Sequence, residues 1–162
     1  MSYVASVPDG RIAVDDPRAD DVRALLERHL AFARATTRPE DVHALEVDGL
    51  ADPAVTFFSY RAGGDVLGVA ALKRLDDAHA EIKSMHTAEA ARGRGIARAL
   101  IDHLIGVARE RGYRRLSLET GAQPAFAPAR RLYASAGFEP CGPFADYPPS
   151  PNSAHMTLAL DG

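Results

Sequence analysis

Apolar residues recur at Ala97, Leu100, Ile101, Leu104, Val107 and Ala108, steps of three and four that gather on one face of a helix. Gly112 follows as a stop signal, because glycine accepts the left-handed conformation in which helices end. A second stripe through Val22, Leu25, Leu26, His29 and Leu30 predicts an earlier amphipathic helix, with Asp15, Asp16 and Pro17 as its start cluster. Residues 11–14 read as a short strand, and residues 40–45, after Pro39, as a short helical piece. Segments 56–60 and 66–72 read as two strands meeting across Ala62-Gly63-Gly64-Asp65, a sequence suited to an antiparallel hairpin. The run 80–87 alternates only partly; its compact length and the glycines after it assign it as a strand. Downstream come a strand at 115–120, a helix near 126–136 and strands at 138–141 and near 155–160. No internal repeat or low-complexity linker interrupts this order, which predicts one α+β domain over residues 1–162.

The break between strand 80–87 and the long helix carries the most specific chemistry. In Arg92-Gly93-Arg94-Gly95-Ile96-Ala97, two glycines and a small alanine let the backbone approach a ligand closely. The N–H groups at the helix start, with the positive end of the dipole behind them, would hold a phosphate. A dinucleotide fingerprint would need a third glycine where Arg98 stands and an acidic residue after a second strand. The Gly-Lys-Ser/Thr of a nucleotide P-loop is missing as well.

What the turn does match is R-x-x-G-x-A, with Arg92, Gly95 and Ala97 at its defining positions. A later A-x-x-L-Y-x-x-x-G-F is reproduced by Ala129, Leu132, Tyr133, Gly137 and Phe138. With both segments at the expected separation, the chain resembles the GNAT superfamily of N-acetyltransferases. The resemblance implies the GNAT fold: α+β, with a mixed, mostly antiparallel central sheet, flanking helices, and splayed central strands that admit a pantetheine arm. It implies acetyl-CoA as co-substrate, no metal, and direct transfer of an acetyl group to a primary amine in a ternary complex. Around the cofactor it places Met85, His86, Thr87, Arg92, Gly93, Arg94, Gly95, Ile96, Ala97, Arg98, Phe126 and Ala129. Tyr133 matches the phenol that protonates the departing thiolate, a role a neutral phenol can fill. Glu81 stands where some members carry a catalytic glutamate; His86, Glu119 and a water chain are the alternatives for the base. In two places the chain departs from the pattern. Phe126 stands where the family often has a cofactor-contacting asparagine, and Glu89 where a proline is common.

Composition adds bounds. A length of 162 residues with 46% hydrophobic content is enough to bury a full core. No apolar run is long enough to span a bilayer and the amino terminus lacks a signal-peptide layout, so the expectation is a soluble cytoplasmic protein that does not bind membranes. Cys141, the only cysteine, excludes an internal disulfide and has no identifiable activating partner, which disfavours an acyl-cysteine route. The six histidines show no metal-ligand spacing. A net charge of -3 argues against general nucleic-acid binding. The charge is uneven, however: from Arg92 to Arg131 nine arginines face three acids, and the rest of the chain is acidic. The basic stretch suits the phosphates of coenzyme A, and the acidic remainder favours a cationic acceptor.

For the acceptor pocket, expected to take a small-molecule amine, the candidates are Glu119, Tyr147 and Asn152, with Lys83 and His43 as weaker suggestions. The tail Cys141-Gly-Pro-Phe-Ala-Asp-Tyr147, followed by Pro151-Asn152-Ser153 and Met156-Thr157-Leu158, resembles a subgroup of small bacterial acetyltransferases. Its prolines make it either a wall of the acceptor site or a stiff connection between strands. Small amine, amino acid, peptide amino terminus and protein lysine all stay open as acceptors, as do a catalytically weak acetyl-CoA sensor, another acyl donor, an oxygen acceptor and a homodimer.

Overall fold

The computed structural model describes residues 10–36, 47–145 and 147–160. The helical piece expected at 40–45, with His43 on it, falls outside these residues. Seven strands form one sheet in the order β1-β2-β3-β4-β5-β7-β6. They are β1 (Gly10–Val14), β2 (Val55–Ala62), β3 (Asp65–Arg74), β4 (His79–Thr87), β5 (Arg115–Gly121), β6 (Glu139–Cys141) and β7 (Ser153–Ala159). The described helices are α1 (Asp20–Thr36), the single turn α2 (Val47–Leu50), α3 (Ile96–Glu110) and α4 (Ala127–Ser135). Every strand pairing is antiparallel except β4 with β5.

The sequence pattern explains most of these elements. Gly63 and Gly64 both take positive φ, 59° and 87°, as a tight hairpin between β2 and β3 requires. Leu100, Ile101, Leu104 and Ala108 are buried along α3 as the spacing predicts, and Ala99 and Ile105 join them. The Asp15-Asp16-Pro17 cluster forms a turn ahead of α1, in which Asp16 Oδ1 accepts the Arg18 N–H at 2.8 Å; the helix itself opens on Asp20 and Asp21. The helix expected near 126 begins as a 3-10 turn, Pro124–Phe126, before α4 takes over.

Two apolar layers sandwich the sheet. On one face Val22, Leu25 and Leu26 of α1 meet Leu50, Phe57, Val69 and Ala71. On the other, α3 and Tyr133 of α4 cover Phe58, Ala70, Leu72, Ile82, Leu116 and Leu118. Each fully buried aliphatic side chain contributes about 1.5–3 kcal/mol by leaving water. Gly68 sets how closely α3 approaches: a Cβ there would lie 2.9 Å from Ile96 Cγ2, so only glycine seats the start of α3 against β3.

Candidate active site

β4 and β5 pair only from His79↔Arg115 to Ile82↔Leu118. Beyond that point β5 stays on β7 through Gly121↔Ser153, while β4 stays on β3 through Thr87↔Gly68, so the two central strands part. A bulge reinforces the split. Val69 opposes His86 and Ala71 opposes Lys83, leaving Ser84 and Met85 together opposite Ala70. Ser84 takes φ 55°, unusual for a residue with a side chain, and its Oγ is buried with no hydrogen-bond partner among the described residues. The imperfect alternation of 80–87 is the sequence trace of this extra residue.

The opening is a cleft of about 610 Å³. One end is the glycine turn. Gly93 and Gly95 both have φ 80° and open space where a Cβ would point, and Gly95 is the N-cap of α3. No side chain caps that helix and no acid lies in its first turn, so its leading N–H groups face outward with the dipole unneutralised. Arg92 lines the cleft. Arg98 lines it too, although its guanidinium is tied to Asp102 at 3.2 Å and to Ser135 Oγ at 3.2 Å. Arg94 is exposed and is not among the lining residues.

Tyr133 of α4 lines the cleft. Burial, with the Glu119 charge adding to it, holds its phenol well above the usual tyrosine range, so the hydroxyl stays protonated. Phe126 packs on Gly121, where any Cβ would collide with the ring. It also meets Phe32 of α1 edge-on, ring centroids 5.4 Å apart, and both rings line the cleft. His29 of α1 and His86 of β4 approach Nδ1 to Nδ1 at 3.3 Å. Burial lowers both to about 4, and for His86 the neighbouring His29, Arg92 and Arg28 add to it, so both rings are neutral at pH 7.

At the far end lies a buried charge cluster. Glu81 and Lys83 sit two apart on β4 and so share a face, with side chains 3% and 8% exposed. Lys83 Nζ donates to Glu81 Oε2 at 3.3 Å and to the Tyr147 hydroxyl at 2.7 Å; Tyr147 in turn donates to the same Oε2 at 2.5 Å. Burial and the Glu81 charge push the Tyr147 phenol far up, which fixes the direction of that bond. Tyr147 is braced by Phe144 and His155, ring centroids 5.2 and 5.3 Å away. Glu119 and Asn152 also line the cleft, Asn152 beside the end of β5, where its carbonyl accepts the Ala122 N–H at 2.9 Å.

The cleft thus gathers every described candidate from the sequence except Arg94: Glu81, Lys83, Met85, His86, Thr87, Arg92, Gly93, Gly95, Ile96, Ala97, Arg98, Glu119, Phe126, Ala129, Tyr133, Tyr147 and Asn152. Cys141 lies on β6, outside the lining, and burial raises its thiol above the usual range. Ser84, His29 and Phe32 line the cleft and were not among the candidates. His29 had a signal: it was the one polar residue on the apolar stripe of α1.

The cleft combines parted central strands, an uncapped helix start and buried phenols beside a carboxylate. The sequence profile of the acetyltransferase (GNAT) family matches residues 20–138. The chain belongs to that family and is an acyltransferase. It is 45% identical over 149 residues to the uncharacterized N-acetyltransferase YsnE of Bacillus subtilis, spanning 92% of this chain and 99% of the relative. To the uncharacterized N-acetyltransferase YedL of Escherichia coli it is 43% identical over 149 residues, 92% of this chain and 94% of that one. In fold it resembles a GNAT family acetyltransferase from Elizabethkingia anophelis, whose structure has acetyl-CoA bound. The TM-score is 0.68 at 18% identity, over 94% of this chain and 99% of that one.

Proposed function

We propose that the protein moves the acetyl group of acetyl-CoA directly to the primary amine of a small molecule, with Glu81 as base and Tyr133 as proton donor. The observation that carries this reading is the placing of one free carboxylate oxygen and one protonated phenol in the same cleft: Glu81 Oε1 and the Tyr133 hydroxyl have no hydrogen bond among the described residues.

The residues present fit a coenzyme A thioester. The uncapped start of α3 and Arg92 suit its phosphates, while Met85, His86, Thr87, Ala129 and Phe126 line the way from there to the orphaned Ser84 hydroxyl. When bound, the thioester supplies an already activated carbonyl. Ser84 Oγ, buried and unsatisfied, can donate to a carbonyl oxygen as charge develops on it. Glu81 Oε1 takes one proton from the acceptor ammonium, which frees the nitrogen lone pair. As the nitrogen–carbon bond forms and the carbon–sulfur bond breaks, Tyr133 gives its hydroxyl proton to the sulfur. The second proton lost from nitrogen restores the phenol, so the net products are amide, thiol and one released proton. Cys141 is not among the residues lining the cleft, which favours direct transfer.

Glu81→Gln tests the assignment. The expected result is a fall of about 10²–10⁴-fold in kcat/KM that narrows as pH rises and more acceptor arrives already deprotonated. An unchanged pH profile would remove Glu81 from the base role. Acetyl-CoA binding, followed by calorimetry, is expected to be the same in both proteins.

A further inference from the structure

We infer that the acceptor carries a carboxylate beside its amine, in the manner of an α-amino acid, and that Lys83 is the residue that selects it. The inference rests on the acetyl-transfer reading above and specifies its acceptor.

Lys83 is a buried cation whose hydrogen bonds are incomplete. An ammonium has three N–H donors, and here one goes to Glu81 Oε2 and one to the Tyr147 hydroxyl. The third has no partner among the described residues, although the side chain is only 8% exposed and lines the cleft. A buried charge with a vacant donor is costly, and an anionic ligand atom would relieve it. Glu81 is the mirror image. Both of its donors converge on Oε2, and Oε1 is left for a cation. A vacant acceptor on a carboxylate thus lies beside a vacant donor on an ammonium, the two groups 3.3 Å apart. An α-amino acid presents the complement, an ammonium and a carboxylate separated by one carbon.

Other amines fit less well. A polyamine would bring a second cation against Lys83, which Tyr147 holds in place through its hydroxyl. A simple monoamine would satisfy Glu81 and leave the third Lys83 donor unmet. Glu119, on the neighbouring strand and also in the lining, adds negative charge to the cleft, which suits an ammonium and offers nothing to a carboxylate. The acidic character of the chain outside its arginine-rich stretch therefore describes only half of the acceptor.

The test is acetyl-CoA-dependent thiol release with matched acceptors: phenylalanine against phenethylamine and phenylalanine amide, and leucine against isoamylamine. The wild-type protein is expected to favour the carboxylated member by at least about thirtyfold in kcat/KM, the range for removing one partner of a buried charge pair. In Lys83→Met that ratio is expected to fall towards one, and in Lys83→Arg to remain above tenfold; a merely structural role for Lys83 would lower both substrates together and leave the ratio intact. If Lys83→Met does not fold, Tyr147→Phe, which removes a single oxygen, is expected to cut the ratio by about tenfold. Turnover of the decarboxylated amines equal to or better than the amino acids would overturn the inference and leave acetyl transfer standing. Failure of every amine, with acetyl-CoA still bound, would overturn the acetyl-transfer reading and this inference with it.

Discussion

The two ends of the cleft are built from different materials. In the proposed reading the donor end is backbone: two left-handed glycines, the bare first turn of α3 and a bulged strand, with the exposed Arg92 beside them. The acceptor end is side chain: a carboxylate, an ammonium and a phenol drawn from β4 and from a loop 64 residues downstream, buried and mutually hydrogen-bonded. A phosphate-bearing ligand offers many equivalent oxygens and is well served by a row of N–H groups. A small acceptor offers two or three groups and needs each met by a placed partner. The donor end is therefore expected to fail by backbone strain or added charge, and the acceptor end by loss of single atoms.

The largest expected effect strikes the donor end. Gly95→Glu forces a side chain into φ 80° and sets a carboxylate at the positive end of α3. Calorimetry is expected to find acetyl-CoA binding lost, with the fold retained because nothing lies within 4 Å of the new Cβ. Binding within tenfold of wild type would show that the turn does not hold the phosphates. Next is Tyr133→Phe, which removes one hydroxyl where the two ends meet. It is expected to lower kcat by about 10²–10³-fold with acetyl-CoA affinity unchanged, and unaltered turnover would strip Tyr133 of its role.

This contrast in materials also explains what could be read beforehand. The glycine turn, the α3 stripe and the hairpin are local signals, each fixed by neighbours a few residues apart. Tyr133 and Glu81 came from motif position and lie in the cleft. Lys83 and Tyr147 could each be suspected, but their hydrogen bond joins residues brought together only by the closed sheet. Ser84 was missed because a bulge is a mismatch between two strands, visible from one strand only as broken alternation. Phe32 stood outside the stripe of α1 and faces the cleft instead of the core.

A third prediction concerns the seam between α1 and β4. His29 and His86 have native pKa values of about 4, below the ordinary 6.5, so the unfolded chain takes up protons first as pH falls. Their contribution to stability is complete above pH 6.5 and declines from there to about pH 4. Each shift corresponds to about 3 kcal/mol by linkage. Denaturant unfolding is expected to show that decline, and His29→Asn to flatten it; equal slopes in the two proteins would mean that the histidines are not its source.

The smallest expected effect separates two arginines of one motif. Arg92 lines the cleft, whereas Arg94, two residues on, is exposed outside it. Arg92→Ala is expected to weaken acetyl-CoA binding by about three- to tenfold, the scale of one partly exposed charge contact, and the loss should shrink as salt rises towards 1 M. Arg94→Ala is expected to change it by less than about twofold at any salt, since an exposed charge beyond contact acts only through a screened field. The order matters more than the size. Equal losses would mean that the phosphates extend past the lining and that the basic rim as a whole captures them; a larger loss at Arg94 would put the phosphates on the outer side of the turn, away from the start of α3.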